Sequence, residues 1–355
     1  MILTRKQILI LCNVWIALCV CILAFYFYQD RGKKSLTQVP STQWESLLKN
    51  PSFSLEMPKK EEKKPKEKSA EAKKAVIDQD METMVAYELV YDYAHMTLPQ
   101  VVEAYLDEMG IPHESIAFSY KNIGTGEVIE MNETQPMRAG STYKLPLNML
   151  VVDQVAKGKL SLTERFDITD TYYEFQGEHD NYVGAFDGAM TIPEMQRYSL
   201  VYSENTPAYA LADRLGGIEK ARSLFKRYGQ SKATIKTFSE ENFTTTNYYI
   251  QVLDYLWNHK DKYKDLLYYI GESFPGEYYK KFLPDLTIQQ KPGYVGEALN
   301  VDAIVYEQQP YLAAVYTSGL GGSTPESEEI SGIALYQLGQ ICYVINEWHR
   351  VNQNP

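Results

Sequence analysis

Apolar residues are distributed unevenly along the chain, and the first long apolar run is near its start. Ile8 to Tyr28 is a 21-residue stretch without a charge, which as a helix is about 31 Å long, the thickness of a bilayer core. The pattern predicts a transmembrane helix over 8–28 after a short tail at 1–7. A cleaved signal peptide is the alternative, but the run is long for one and ends in an aromatic belt, Phe25 to Tyr28, rather than in a small-residue cleavage site.

The pattern changes abruptly after this run. Lys59 to Lys74 contains eight lysines, four glutamates and one proline, with no large apolar residue. Such a composition cannot bury a core. We therefore predict a charged flexible linker over 29–79, followed by one domain over 80–355.

Within the domain, the first periodic segments predict a helix and a hairpin. A helical period near Leu98 to Met109 places four apolar residues on one face. Ile116 to Tyr120 and Val128 to Met131 are strand-like runs joined by a turn that contains two glycines. An apolar helical run follows Ser141, and the middle of the domain, from about 145 to 270, is predicted to be mostly helical.

The C-terminal part predicts a second hairpin and a final helix. Leu299 to Tyr306 and Tyr311 to Thr317 are the strands, and the helix starts near Pro325 with Thr324 as its cap. Strands at both ends of the domain imply an antiparallel sheet built from distant parts of the chain. The predicted fold class is α+β, with helices flanking this sheet and a mostly helical subdomain.

Charge and cysteine content exclude several classes of protein. The net charge is −11, of which residues 1–74 contribute +7 and the rest −18, so the domain is acidic and no nucleic-acid partner is expected. Cys342 is the only cysteine outside the apolar run, which rules out a disulfide framework within the domain. No rival catalytic triad is expected, because the histidines have unrelated polar surroundings: His95, His113, His179, His259 and His349. We also predict no metal site and no cofactor.

The candidate chemistry begins at Ser141-Thr142-Tyr143-Lys144. Residues three apart on a helix share a face, so a neutral Lys144 amine could take the Ser141 proton. A polar break holds Ser203-Glu204-Asn205, and Lys291-Pro292-Gly293 opens the later strand region. Each motif is common by itself.

In order and spacing, however, the three motifs resemble those of the penicillin-recognising serine enzymes, specifically the class A β-lactamase-like branch. Ser203 follows Ser141 by 62 residues and Lys291 follows Ser203 by 88. The flanking segments Gly140 to Leu147 and Asp187 to Ile192, together with the last hairpin, are similar as well. The resemblance covers roughly residues 95 to 350, and the combination is specific although its parts are not.

The resemblance implies a role for each motif residue. Ser141 is the expected nucleophile and Lys144 the amine that helps to deprotonate it. Ser203 passes the proton to the leaving nitrogen, Lys291 holds that hydroxyl and attracts a substrate carboxylate, and Asn205 orients Lys144 and the substrate amide. The backbone N–H groups of Ser141 and Tyr294 form the expected oxyanion hole, and Gly293 and Tyr294 contact the substrate.

Three departures from the family pattern accompany the resemblance. Glu204 replaces the usual Asp, and Pro292 replaces a Thr or Ser whose hydroxyl would bind a substrate carboxylate. The loop that would position the hydrolytic water is short. Glu240 and Glu241 are candidates for the deacylation base there, with an exposed acidic loop as the alternative.

The aromatic segment from Tyr172 to Gly184 has two open interpretations, a wall of the cleft or a packed surface loop.

The predicted function is a serine acyl-hydrolase that forms an acyl-enzyme on Ser141 with β-lactams or peptidoglycan-derived peptides. Two alternatives stay open: a D-alanyl-D-alanine carboxypeptidase or transpeptidase, and an inactive wall-binding or regulatory protein. Basic residues flank the apolar run on both sides, so charge does not decide its orientation. A cell-wall substrate implies an extracytoplasmic domain on a single-pass membrane anchor.

Overall fold

The computed structural model describes residues 68–233, 242–320 and 330–354 of the chain. The predicted transmembrane helix (8–28), the tail before it and most of the predicted linker lie outside these residues. No helix within the described ranges is long and apolar enough to cross a membrane. The described residues belong to the predicted domain and to the end of the predicted linker.

A five-stranded antiparallel sheet forms the centre of the domain. The strands are β1 (Ile116–Asn122), β2 (Val128–Met131), β7 (Ile288–Val295), β8 (Ala298–Val305) and β9 (Tyr311–Thr317). Their order in the sheet is β2-β1-β9-β8-β7, so the first hairpin pairs with the last of the described strands. Every residue of β8 and β9 is buried, because helices cover both faces of the sheet. The prediction of an antiparallel sheet assembled from distant segments is confirmed.

Terminal helices cover one face of the sheet. They are α1 (Ala70–Ala86), α2 (Leu98–Met109) and α10 (Gly332–Asn352). Their apolar side chains form one core cluster with Phe118, Tyr120 and Val315 of the sheet. The predicted helix at 98–109 is confirmed: Thr97 and Gln100 form a capping box at its start, and Gly110, with a positive φ of 64°, ends it.

The other face carries the predicted helical middle of the domain, and its residues form a second core cluster. Its helices are α3 (Lys144–Ala156), α4 (Gln176–Ala185), α5 (Ile192–Val201), α6 (Asn205–Asp213), α7 (Ile218–Leu224), α8 (Thr246–Asn258) and α9 (Lys264–Glu272). Two short two-stranded pairs complete the fold: β3 (Met137–Arg138) with β6 (Phe243–Thr244), and β4 (Arg165–Asp167) with β5 (Ala189–Thr191). Helix α8 packs directly on β1, β8 and β9.

Two predicted boundaries differ from the structure. Residues 70–79, assigned to the linker, are helical: Ser69 caps α1, and the helix docks on α10 through Asp80, whose Oδ2 lies 2.8 Å from Arg350 Nη1. The sequence does not predict this helix, because few of its residues are buried and its lysine-rich composition is that of a linker. The final helix begins at Gly332 with Ser331 as its cap, later than predicted, and Thr324 and Pro325 lie outside the described residues.

A buried carboxylate, Asp153, stabilises the helical side of the domain. Its side chain is 1% exposed and pairs with Arg227 at 2.6 Å and with Lys262. The hydroxyl of Tyr263 donates to it at 2.8 Å and that of Tyr228 at 3.1 Å. The carboxylate therefore joins α3 to the two segments that follow α7 and α8.

We expect Asp153→Ala to lower the free energy of unfolding by about 3 kcal/mol, because the buried hydroxyls and both cations lose their common acceptor. Asp254→Ala is the control: its pair with Lys121 is only partly buried, and about 1 kcal/mol or less should be lost. Urea unfolding of the two variants measures the difference. Equal losses would show that Asp153 contributes no more than a surface ion pair.

Candidate active site

Ser141 lies in a 3-10 turn, Gly140–Tyr143, rather than on the helix itself, and α3 begins at Lys144. The prediction that both residues share one α-helical face is therefore wrong in detail. Gly140 has a positive φ of 56°, and a Cβ there would lie 2.5 Å from Tyr294 N. Only glycine permits β7 to approach the turn so closely. This contact brings together the two segments predicted to supply the oxyanion hole.

Lys144 is completely buried at the start of α3. Its ammonium donates to Asn205 Oδ1 at 2.6 Å and to the Ser203 carbonyl oxygen. Burial lowers the pKa of Lys144 to about 8, although the nearby carboxylates of Glu178, Glu174 and Glu204 oppose this shift. With this pKa about one tenth of the amine is neutral at pH 7, and this neutral form can accept a proton.

Ser203 and Asn205 come from the connection between α5 and α6. Ser203 has a positive φ of 63°, and the side chain of Asn205 faces Lys144 from the first turn of α6. Lys291 lies in the middle of β7, not at a strand start as predicted. Its ammonium donates to Ser203 Oγ at 2.8 Å and to the Pro292 carbonyl oxygen at 2.8 Å. The pKa of Lys291 falls well below its usual value, mainly through burial and also through the charge of Lys144.

A cleft of about 500 Å³ opens above these groups. Ser141, Ser203 and Asn205 line it together with Pro292 and Tyr294, so the motif residues meet at one surface. Aromatic side chains form much of the remaining wall: Tyr143, Phe175, Phe274 and Tyr278. Residues from seven separate parts of the chain thus line the cleft.

Glu174 belongs to the aromatic segment for which a cleft wall is one of the two predicted interpretations, but the sequence predicts no role for its carboxylate. Its carboxylate accepts from Asn205 Nδ2 at 3.0 Å and from the Tyr209 hydroxyl at 2.5 Å. Phe175 lines the cleft beside it, whereas Tyr172 is 63% exposed. The aromatic segment is therefore both a wall and a surface loop. A lone Glu in an aromatic segment carries no signal of this role, because only the fold brings it to Asn205.

Two further glutamates lie near Lys144. Glu178 caps α6, accepting from the backbone N–H of Asn205 at 2.9 Å and of Thr206 at 2.5 Å. Glu204, the residue that departs from the family pattern, has its pKa raised to about 7 by burial and by the adjacent Glu178. The wall behind Lys144 is therefore strongly acidic, which favours the protonated lysine and offsets part of the effect of burial.

The predicted deacylation bases cannot be placed, since Glu240 and Glu241 lie outside the described residues. The next residue, Asn242, lines the cleft and anchors the turn: its Nδ2 donates to the Gly140 carbonyl at 3.1 Å, and its own carbonyl accepts from Ala139 N at 2.8 Å. Across the described ranges, no three His, Cys, Asp or Glu side chains converge as metal ligands.

Solved structures of class A β-lactamases share this fold. An ancestral class A β-lactamase (GNCA) is 19% identical with a TM-score of 0.56, over 69% of this chain and 98% of that one. A β-lactamase from Chitinophaga pinensis is 19% identical with a TM-score of 0.57, over 70% and 97%. The TLA-1 extended-spectrum β-lactamase is 21% identical with a TM-score of 0.58, over 71% and 97%.

The fold is thus that of the serine β-lactamases, an α+β fold with an antiparallel sheet and a helical subdomain. The model of the β-lactamase enzyme family matches residues 101–343, and the chain belongs to this family. No curated protein sequence matches the chain.

The arrangement suits acyl transfer chemically. A serine hydroxyl opens onto a cleft, and a buried amine of lowered pKa lies one turn of chain away. A second hydroxyl is held by a second buried lysine. These are the kinds of group that acyl transfer needs as nucleophile, proton acceptor and proton carrier.

Proposed function

We propose that the chain is a serine acyl-hydrolase that forms an acyl-enzyme on Ser141 with β-lactams or peptidoglycan-derived peptides. The observation that carries the proposal is a pair of buried lysines that both bind Ser203 beneath the cleft that Ser141 lines: Lys144 donates to its carbonyl oxygen and Lys291 to its hydroxyl. Lys144 follows Ser141 by three residues, and a serine without a nearby amine or other base would have no means of activation.

In the proposed reaction, Ser141 Oγ attacks the acyl carbonyl while its proton passes to the neutral Lys144 amine. The backbone N–H groups of Ser141 and Tyr294 stabilise the oxyanion. Collapse of the intermediate breaks the bond to nitrogen, and Ser203 delivers the proton that the leaving group needs. Water then attacks the ester, with Glu240 or Glu241 as the proposed base.

We further propose that the domain is extracytoplasmic and held at the membrane by the apolar run at 8–28. The support is the length of that run and the position of cell-wall substrates outside the membrane. Pro292 supports slow turnover or a different acyl donor, because it offers neither a hydroxyl nor a backbone N–H to a substrate carboxylate. Pro292 also supports an inactive wall-binding or regulatory protein, and a D-alanyl-D-alanine carboxypeptidase or transpeptidase stays the second enzyme candidate.

The proposal is tested by incubating the domain with a fluorescent penicillin and, in parallel, with a fluorophosphonate. We expect intact-mass spectrometry to detect one adduct per chain. Loss of the penicillin adduct within minutes would favour a lactamase, whereas an adduct that persists for hours would favour a peptidase. If neither reagent leaves an adduct, the chain is an inactive relative.

The pH dependence of acylation follows from Lys144. Because its pKa is about 8 and the neutral amine is the reactive form, the labelling rate should fall about tenfold per pH unit below that value and level off above it. Stopped-flow labelling over a pH series measures this limb. A rate that does not change through the acidic range would show that Lys144 is not the proton acceptor.

A further inference from the structure

A buried aspartate lies on the strand next to Lys291, where none of the sequence motifs places one. Asp302 on β8 is the direct cross-strand partner of Lys291 on β7, so both side chains are on the same face of the sheet. Asp302 is 1% exposed and Lys291 is completely buried. Such a carboxyl, at the base of a candidate active site, must be either paired or neutral.

Hydrogen-bond geometry connects Asp302 to the turn that carries Ser141. The Tyr316 hydroxyl lies 3.2 Å from Asp302 Oδ2 and 2.8 Å from Thr142 Oγ1. Thr142 Oγ1 in turn donates to the Ala139 carbonyl at 2.9 Å. Thr142 and Tyr316 are completely buried. The chain of contacts therefore runs through the core from β8 to the residue that follows Ser141.

Counting hydrogens assigns a direction to this chain. A hydroxyl has one hydrogen, and Thr142 uses its own on Ala139, so Tyr316 must donate to Thr142. Tyr316 then has no hydrogen left for Asp302, and the contact with Oδ2 is satisfied only if the carboxyl itself donates. The second oxygen, Oδ1, is buried with no hydrogen-bond partner among the described residues, a situation that a carboxylate could hardly tolerate.

We propose that Asp302 is a neutral carboxylic acid and a positioning residue. It donates the first of a series of hydrogen bonds, from Asp302 to Tyr316, from Tyr316 to Thr142 and from Thr142 to Ala139, which fixes the turn that carries Ser141. Its catalytic meaning rests on the proposed acylation of Ser141. Without this series of hydrogen bonds, the turn would keep its contacts with β7 but lose the buried hydrogen bond that Tyr316 donates to Thr142.

The groups that face Asp302 agree with a neutral acid. Burial raises the pKa of Asp302 well above its usual range, and the positive charge of Lys291 opposes this shift without cancelling it. Besides Lys291 on β7 and Tyr316 on β9, the ionisable groups around it are Tyr248 and Tyr249 on α8. Lys291 is the single cation in this set, and its own pKa is lowered by burial and by Lys144.

The protonation state is tested without relying on enzyme activity. The domain is labelled with ¹³Cγ-aspartate, and the Asp302 signal is assigned by its loss in Asp302→Asn. At neutral pH we expect this signal at the chemical shift of protonated carboxyls, with no titration where the surface aspartates titrate. A signal at the carboxylate position would overturn the proposal, whether or not the protein reacts with penicillin.

The positioning role is tested by hydrogen exchange at residues 139–142. Tyr316→Phe breaks the chain, so backbone amides of this turn should exchange at least about tenfold faster than in the parent protein. Tyr279→Phe is the matched control, because it removes a buried hydroxyl that bonds Tyr311 on the opposite face of the sheet. Equal exchange at the turn in both variants would refute the positioning role.

A second pair of variants tests whether Asp302 acts as a hydrogen-bond donor or through a negative charge. Asp302→Asn keeps a donor toward Tyr316 and should retain the parent exchange rates, whereas Asp302→Leu should reproduce the effect of Tyr316→Phe. If Asp302→Asn behaved like Asp302→Leu, the negative charge would be what matters and the neutral acid would be excluded. Failure of the parent to form an adduct would refute the proposed acylation alone.

Discussion

Replacing Ser141 by alanine should abolish the covalent adduct with penicillin, a loss of at least about 1000-fold in labelling rate. Among the described residues, Ser141 and Ser203 are the two serines that line the cleft, and only Ser141 is followed three residues later by a lysine of lowered pKa. Ser203, which also lines the cleft, already receives a hydrogen bond from Lys291, and its expected role is to carry the proton. The measurement is intact-mass spectrometry followed by peptide mapping.

Two comparisons make this result specific. Ser161→Ala changes an exposed serine whose hydroxyl contacts Thr163, and its labelling rate should equal that of the parent. The melting temperature of Ser141→Ala should also stay close to the parent value, since Ser141 is only partly buried. An adduct that survives Ser141→Ala would identify a different nucleophile.

The second large effect is expected at Gly293, a position with no chemical group to lose. A Cβ there would lie 2.7 Å from Thr142 Cγ2 and 2.8 Å from Thr142 N, and it would also collide with the Ala139 carbonyl oxygen. Backbone atoms cannot move aside as a flexible side chain does. We therefore expect Gly293→Ala to separate β7 from the Ser141 turn, with about 100-fold slower labelling and about 2 kcal/mol of lost stability.

The matched control is Gly184→Ala on α4, where an added Cβ meets nothing within 4 Å. This change should leave labelling unchanged and stabilise the helix by up to about 1 kcal/mol. Labelling kinetics and urea unfolding of both variants measure the contrast. Parent-like labelling in Gly293→Ala would mean that the approach of β7 to the turn is not needed for reactivity.

Much of the fold could be predicted because its elements have clear periodicity. The helix at 98–109 and the strands at 128–131 and 311–317 agree with the structure to the residue. Helix α1 was missed because a helix with few buried residues has the composition of a linker. The last helix was placed too early because a Thr-Pro pair resembles a helix start as closely as Ser331 does.

Within the candidate site, only the residues that belong to the three sequence motifs or flank them could be assigned a role from the sequence. The spacing of the motifs predicts that Ser141, Ser203 and Lys291 act together. In the structure both serines line one cleft, and Lys291 lies beneath it and donates to Ser203. The contacts of the Glu174 and Asp302 carboxyl groups could not be predicted, because each residue stands in an ordinary local sequence. Their surroundings come from other parts of the chain: Asn205 and Tyr209 around Glu174, Tyr316 and Lys291 beside Asp302.

By itself, the sequence determined the fold class, the order of the motifs and the residue types available for chemistry, since periodicity and spacing are local properties that one chain displays directly. Tertiary structure alone decided the protonation of Lys144, the close approach of β7 to the Ser141 turn and the surroundings of Asp302. These depend on burial and on contacts between residues distant in sequence. Desolvation and steric exclusion act on groups only once folding has brought them together.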